Sequence, residues 1–386
     1  MRRILQVLSG NKNFSGIASY LYQQYKYMDR EKVRYDFFFC KENSMELAMN
    51  DPIFKDSEFY VINGRIKKTG STDYLKVVRE LNRILAKTHY DVVVVNTSII
   101  TIIYACLVVV KKYEDVKLIA HAHNLGLVLN KGTIRYRIMP IMCFLDNVLR
   151  GKIRKNAYAL FGCSNEAGMS TFGKTAVDLN KFKVIRNAID LQRFHYNEDV
   201  ANSVRKEMNV CDDTFVIGNV GCLCKRKNQE FLIEVFNLIN RKWHNSKLWI
   251  IGDGPDKERL VHLVRKYELV NDVEFLGQRE DVFRYMQGMD MFVFPSLSEG
   301  LGIAAIESQA AGLPTVVSDG VPEDVLLTPL VKRIGLGESL EKWGEEISSM
   351  YKKYPKHVDF TELLIENGYD ISAEAKKIEE YYLNIK

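Results

Sequence analysis

The chain has 386 residues, more than a single hydrophobic core commonly organises, and 47% of them are apolar, enough to fill two. Lys and Arg exceed Asp and Glu by 54 − 49 = 5, a mild excess that gives no general case for binding nucleic acid, so local basic patches matter more than the total. Seven cysteines without short, regular spacing do not read as a secreted disulfide framework, and the odd number fits a reducing cytoplasm.

Met1-Arg2-Arg3 precedes an apolar run at residues 4–8 that is too short for a signal peptide and reads as an opening strand. After a polar loop, Ile17, Leu21, Tyr25 and Met28 fall on one helical face. The alternation continues with a strand at residues 35–39, a helical stripe of Tyr74, Val77, Val78, Leu81 and Leu85, and strands at residues 92–95 and 118–120. The most membrane-like window is 92–110, but Asn96-Thr97-Ser98 splits it into a four-valine strand and an apolar helix ending at Lys111-Lys112. Residues 131–155 are basic and amphipathic: Lys131, Arg135, Arg137, Arg150, Lys152, Arg154 and Lys155 against Asp146, interleaved with Ile138, Met139, Ile141, Phe144 and Leu145.

The pattern pauses at residues 184–190 and resumes with the buried run 215–217, which predicts a domain boundary near residues 187–200. Phe231, Leu232, Val235, Phe236 and Ile239 then form a helical stripe; residues 248–251, 291–294 and 315–317 read as core strands; Leu340, Trp343, Ile347 and Met350 form another helix. In the last segment Ala375, Ile378, Tyr382 and Ile385 share a face that should pack against a core. Strands alternating with helices imply an α/β architecture with parallel, doubly wound sheets.

Such sheets bind ligands beyond the carboxyl ends of their strands. After the strand ending at Phe294 comes Pro295-Ser296-Leu297-Ser298-Glu299-Gly300-Leu301-Gly302-Ile303, leading into a helix with Ile306, Glu307 and Ala310. Glycines let backbone approach a ligand, and the free N–H groups and dipole of a first helical turn suit a diphosphate, which points to Gly302 and Ile303. Glu307, about two turns on from Glu299, carries a carboxylate able to accept from both hydroxyls of a ribose. The plainer reading makes Glu299 a helix cap and Glu307 a solvated surface charge.

This stretch, together with Ala311-Gly312-Leu313-Pro314 and Ser318-Asp319-Gly320, resembles the E-x7-E signature of the retaining, two-domain (GT-B) glycosyltransferases of family four. The resemblance implies two Rossmann-like domains facing each other across a cleft: residues 1–190 on the acceptor side, 191–368 binding the donor, and 369–386 packing back on the first domain. It assigns Glu299 to the donor sugar, Glu307 to the ribose, and the amides of Gly300, Leu301, Gly302 and Ile303 to phosphate.

Gly221-Cys222-Leu223-Cys224-Lys225-Arg226-Lys227-Asn228 is similar to the family's G-R-L-x-x-x-K-[GN] motif, which gives Lys227 the role of neutralising the departing diphosphate. Cys222 stands where the family has arginine, and Lys225 or Arg226 is available to compensate. In Ala120-His121-Ala122-His123-Asn124 the match implies that His123 approaches a donor-sugar hydroxyl, with His121 packing structurally. The loop at residues 9–16 looks like the family's first glycine loop, so Ser15 and Gly16 meet phosphate or acceptor. Gly254, in Ile251-Gly252-Asp253-Gly254-Pro255, borders the nucleotide pocket by the same resemblance. Arg279, in Leu276-Gly277-Gln278-Arg279-Glu280-Asp281, either stacks beside the base or pairs with Asp281.

The implied enzyme needs neither metal nor cofactor: its donor is a nucleotide sugar, with the resemblance pointing to UDP and bacterial surface-polysaccharide assembly. The acceptor is a glycan or a polyprenyl-diphosphate-linked saccharide, which makes residues 131–155 a candidate peripheral contact at the inner face of the plasma membrane. Cys222 and the reduced first loop support a second reading, a catalytically weak homologue that acts as a binding or stabilising subunit.

Overall fold

The computed structural model describes residues 1–9, 16–40, 51–62, 74–123, 139–354 and 357–386, with backbone alone at Gly16 and residues 139–144. Ser15 and residues 131–138 lie outside the described residues. The chain divides into two units, residues 1–189 together with 371–386, and residues 190–370.

The first unit is built on strands β1 (Arg2–Leu8), β2 (Val33–Phe39), β3 (Phe59–Val61), β4 (Val92–Asn96), β5 (Lys117–Ala122), β6 (Ala159–Gly162) and β7 (Phe182–Val184). They form one sheet in the order β3-β2-β1-β4-β5-β6-β7, and every pairing is parallel. All five residues of β4 are buried, so a valine run without polar alternation is what a sheet covered on both faces demands. The membrane-like window of the sequence is thus β4 followed by the helix Ile100–Val110, and among the described residues no helix is long and apolar enough to cross a membrane. The helix Asn165–Phe172 starts where Ser164 accepts a hydrogen bond from the Ala167 N–H at 3.1 Å, a side-chain cap on a first-turn donor.

The helix Ile371–Leu383 closes this unit. Ile371, Ala375, Ile378 and Tyr382 are buried in one cluster with Tyr20, Tyr25, Tyr35 and Phe37. Tyr35 stacks on Tyr25 at 4.9 Å between ring centroids and meets Tyr382 edge-on at 6.2 Å, the offset and edge arrangements that aromatic quadrupoles favour.

The second unit carries β8 (Phe215–Val220), β9 (Ser246–Ile251), β10 (Val273–Gly277), β11 (Met291–Phe294), β12 (Thr315–Ser318) and β13 (Val331–Ile334), in the order β10-β9-β8-β11-β12-β13, again all parallel. Trp343, Ile347 and Met350 of the helix Leu340–Lys353 pack with Phe236 and Ile239 of Gln229–Lys242 in its core. A buried Arg205 ties the unit's lower edge, donating to the carbonyls of Gly288 (3.0 Å), Cys211 (2.7 Å) and Thr214 (2.6 Å) and to Asp290 Oδ2 (3.1 Å).

Ile378 is 2% exposed within the first unit's cluster. Ile378→Ala is expected to cost about 3 kcal/mol through lost burial and a residual cavity. Urea denaturation measures this, and a change below about 1 kcal/mol is incompatible with the packing described.

Candidate functional site

In the second unit the strand order reverses between β8 and β11, and in open parallel sheets the ligand crevice forms at the carboxyl ends of the strands flanking such a reversal. The segments leaving these strands, residues 221–227 and 295–302, are joined to each other: the Leu297 N–H donates to Arg226 O at 2.8 Å and Asn228 Nδ2 to Pro295 O at 3.1 Å. Beneath the first segment, Leu223 N donates to Asp253 O and Asp256 N to Leu223 O, both at 3.0 Å, with the Gly254 backbone lying against Leu223. Lys225–Lys227 then makes one 3-10 turn and Asn228, left-handed at φ +57°, starts the helix Gln229–Lys242.

The centre of the site is an ion triplet. Glu299 is 6% exposed; its Oε1 lies 2.9 Å from Lys227 Nζ and its Oε2 2.8 Å from Arg226 Nη1, which also donates to Ser298 O at 2.9 Å. The Lys227 ammonium sits 4.4 Å from the centre of the Phe294 ring, whose negative face favours a cation there. The Glu299 loop is pinned by its own N–H, which donates to Gly320 O at 2.9 Å. A Cβ at residue 320 would stand 2.4 Å from Ser296 O, so only glycine permits this approach. Burial pushes the Glu299 carboxyl up, but Lys227 and Arg226 more than offset it and hold it below the ordinary carboxylate range. Burial pulls the Lys227 ammonium down, with Glu299 opposing.

Beside the triplet the helix Ile303–Ala310 begins at Gly302, which is left-handed (φ +90°, ψ 52°) and supplies no side-chain cap, so the first-turn N–H groups have no side-chain acceptor. Any residue with a Cβ is strained at that φ. Gly300 and Leu301, just before it, are buried. Glu307 keeps partial solvent access, yet its low-polarity surroundings push its carboxyl up to about 7, with Arg193 and Lys227 pulling the other way. The short helix Leu191–Phe194 packs against Ile303–Ala310 and holds the Arg193 guanidinium 4.5 Å from the centre of the Phe283 ring.

The second unit therefore gathers Lys227, Glu299, Gly300, Leu301, Gly302, Ile303 and Glu307 at one sheet edge. Of the two readings of Arg279, pairing is the one seen: Nε and Nη2 reach Asp281 at 2.9 and 3.1 Å, over the Tyr285 ring at 4.7 Å. Sequence reasoning assigns no role to Arg193 or Phe294, although Phe294 ends the strand before the motif. Arg226, named in the sequence only as a substitute charge, is a full member of the triplet. Cys222 is exposed at the arginine position of the motif. Among the described residues no three His, Cys, Asp or Glu side chains gather as a metal-binding group.

His123 and Gly16 belong to the first unit, where Gly16 opens the helix Gly16–Lys26. His123 is 3% exposed at the carboxyl end of β5; its Nε2 lies 3.0 Å from Asn96 Oδ1 and its Nδ1 3.1 Å from Asn187 Oδ1. Asn96 Nδ2 donates to Gln6 Oε1 at 2.9 Å, which fixes the Asn96 oxygen toward the ring. Burial pulls the ring's pKa down to about 4, partly opposed by Asn187, and the ring is neutral at pH 7. His121 packs on it with ring centroids 3.8 Å apart.

A model of the family described as glycosyl transferases group 1 matches residues 201–380. The putative glycosyltransferase EpsF of Bacillus subtilis (strain 168) is 30% identical over 376 residues, covering 96% of this chain and 93% of that protein. The UDP-Gal:alpha-D-GlcNAc-diphosphoundecaprenol alpha-1,3-galactosyltransferase of Escherichia coli is 32% identical over 151 residues, 37% of this chain and 38% of that one. The crystal structure of HepE from Anabaena in complex with UDP-glucose covers 99% of this chain and 96% of its own with a TM-score of 0.69 at 17% identity, so the two share a GT-B fold.

The Glu307 carboxyl, at about 7 against an ordinary 4.5, binds its proton more tightly in the folded than in the unfolded chain. Stability is then lost as pH rises from the unfolded value through the folded one, up to about 3 kcal/mol. Glu307→Gln is expected to raise the thermal midpoint over wild type at pH 8 and to leave it nearly unchanged at pH 5; equal shifts at both pH values contradict the assignment.

Proposed function

Because the chain belongs to the glycosyl transferases group 1 family, retaining glycosyltransferases that take nucleotide-sugar donors, we propose that it moves a hexose or N-acetylhexosamine from a UDP-sugar to a glycan or lipid-linked saccharide in surface-polysaccharide synthesis. The UDP donor is supported by HepE, crystallised with UDP-glucose, and by the Escherichia coli galactosyltransferase, whose name carries UDP-Gal and a diphosphoundecaprenol-linked acceptor. The observation that carries the reading is the meeting, at one sheet reversal, of an uncapped helix start, two cations and a carboxylate raised to about 7.

The diphosphate lies against the N–H groups of residues 300–303, where the helix dipole favours negative charge. Lys227 and Arg226 take up the charge that grows on the leaving diphosphate as the bond from the sugar's anomeric carbon to the phosphate oxygen breaks. Arg226 thereby supplies the second cation that Cys222 does not. Glu307 accepts from both ribose hydroxyls, Glu299 from the sugar, and the segments that carry Arg279 and Gly254 border the nucleotide. The acceptor hydroxyl attacks on the face the diphosphate leaves and passes its proton to the departing phosphate oxygen, which keeps the anomeric configuration. His123, neutral with both ring nitrogens engaged, acts by fixing Asn96 and Asn187, without exchanging a proton.

In the first unit the helices Ile100–Val110 and Met139–Asn156 lie side by side, joined by Lys111 Nζ to Asn156 Oδ1 (2.6 Å) and Lys152 Nζ to Tyr104 OH (3.4 Å). Exposed Val108, Leu145 and Val148 stand among Lys111, Lys112, Lys152 and Lys155, and no carboxylate pairs with these lysines among the described residues. Apolar side chains beside cations that no carboxylate neutralises match an anionic lipid surface, each lysine contributing about 1 kcal/mol. Leu145, Val148, Lys152 and Lys155 are the part of the basic stretch 131–155 that supports a peripheral membrane contact.

Glu307→Ala and Lys227→Ala are each expected to lower donor turnover by roughly a hundredfold or more, and Glu299→Ala to lower it as well, measured as UDP release from a panel of UDP-sugars. Unchanged activity in the first two removes the assignment. A ribose diol donates to the ionised form of Glu307, so the donor KM should fall as pH rises from 6 to 8, and Glu307→Gln should flatten that dependence. Vesicles rich in phosphatidylglycerol are expected to sediment the protein at low salt and less of it at physiological salt; no binding in either discards the membrane contact.

A further inference from the structure

We propose that Glu299 is an internal competitor of the donor: its carboxylate occupies, in the unliganded site, the two cations that the nucleotide's diphosphate must take, and the incoming diphosphate displaces it. This rests on the reading of Lys227 and the helix start as the diphosphate site. Each carboxylate oxygen holds one cation, Oε1 with Lys227 at 2.9 Å and Oε2 with Arg226 at 2.8 Å, the same division of charge-assisted contacts that two phosphate oxygens would make.

The surroundings allow the exchange to occur by side-chain rotation alone. The Glu299 backbone is held by its N–H on Gly320 O and the neighbouring loop by Leu297 N on Arg226 O, so the main chain keeps its place while the side chain turns. Lys227, with a side chain 13% exposed over the Phe294 ring, has little room to move away and must keep an anionic partner. A diphosphate brings that partner and more negative charge than the carboxylate it replaces. The freed carboxylate then accepts from sugar hydroxyls, so the group that reads the sugar becomes available only once the diphosphate is seated. A nucleoside without phosphates has no claim on either cation and leaves Glu299 where it is.

The consequence runs against the usual expectation for a site residue: removing the Glu299 charge should tighten nucleotide binding while slowing turnover. Titration calorimetry on the full chain with UDP and with uridine tests it. For Glu299→Gln the UDP Kd is expected to fall about tenfold, with uridine unchanged. Glu299→Asp keeps the charge but is one methylene too short to span both cations, so it should also bind UDP more tightly, by a smaller factor. The rise in thermal midpoint produced by UDP should be larger in Glu299→Gln than in wild type, which reports on the folded protein independently. UDP affinity unchanged or weakened in both variants, or an equal gain for UDP and uridine, overturns the proposal. Lys227→Ala separates the two levels: if it binds UDP as well as wild type, the diphosphate reading itself fails, whereas lost UDP affinity there beside unchanged affinity in the Glu299 variants leaves that reading standing and removes only the competition.

Discussion

In a sheet whose strands all run the same way, every loop that follows a strand emerges at one edge, and where the strand order reverses, the loops of the two neighbouring strands border a common crevice. In the residue 190–370 unit this places a basic turn after β8 and an acidic, glycine-rich loop after β11 side by side. Neither segment could keep its charges half-buried alone. Lys227 is sheltered because Glu299 neutralises it, and Glu299 because Lys227 and Arg226 do the same in return. The helix start at Gly302, the raised carboxyl of Glu307 and the packing of Arg193 are all arranged around that mutual neutralisation.

Much of this is legible in the sequence because interior parallel strands are continuous apolar runs. Residues 92–95, 215–217 and 291–294 announce β4, β8 and β11, and the switch between them and amphipathic stripes gives the α/β class. The edge strands β3, β7 and β13 are short and only partly buried, and carry little periodic signal. The E-x7-E spacing likewise predicts that Glu299 and Glu307 flank one helix start. It does not predict that Arg226 reaches Glu299, that Phe294 lies under Lys227, or that the charge of Arg193 acts on Glu307, since each joins segments far apart in the chain. For His123, residue type and strand-end position mark a polar site, but only the hydrogen bonds to Asn96 and Asn187 reveal a ring with no free nitrogen.

The two glutamates solve opposite electrostatic problems with the same side chain. Glu299 stays acidic because two cations in direct contact outweigh its desolvation; Glu307 is raised because burial dominates and its cations act only from a distance. A carboxylate held below its ordinary range is committed to charge, while one near 7 is poised to gain a partner. Such poise lowers folding stability at neutral pH, a cost commonly found where a site is built for a ligand.

The closing of the first unit by the helix Ile371–Leu383 bears on how the chain is made. Tyr20, Tyr25, Tyr35 and Phe37 leave the ribosome well before the residues that cover them, which are synthesised only after the whole of the 190–370 unit. During that interval a nascent chain carries an aromatic surface without its lid, the kind of exposure that recruits chaperones and favours aggregation. A stop codon or frameshift anywhere in codons 371–386 would therefore damage the unit whose sheet is encoded ahead of residue 190.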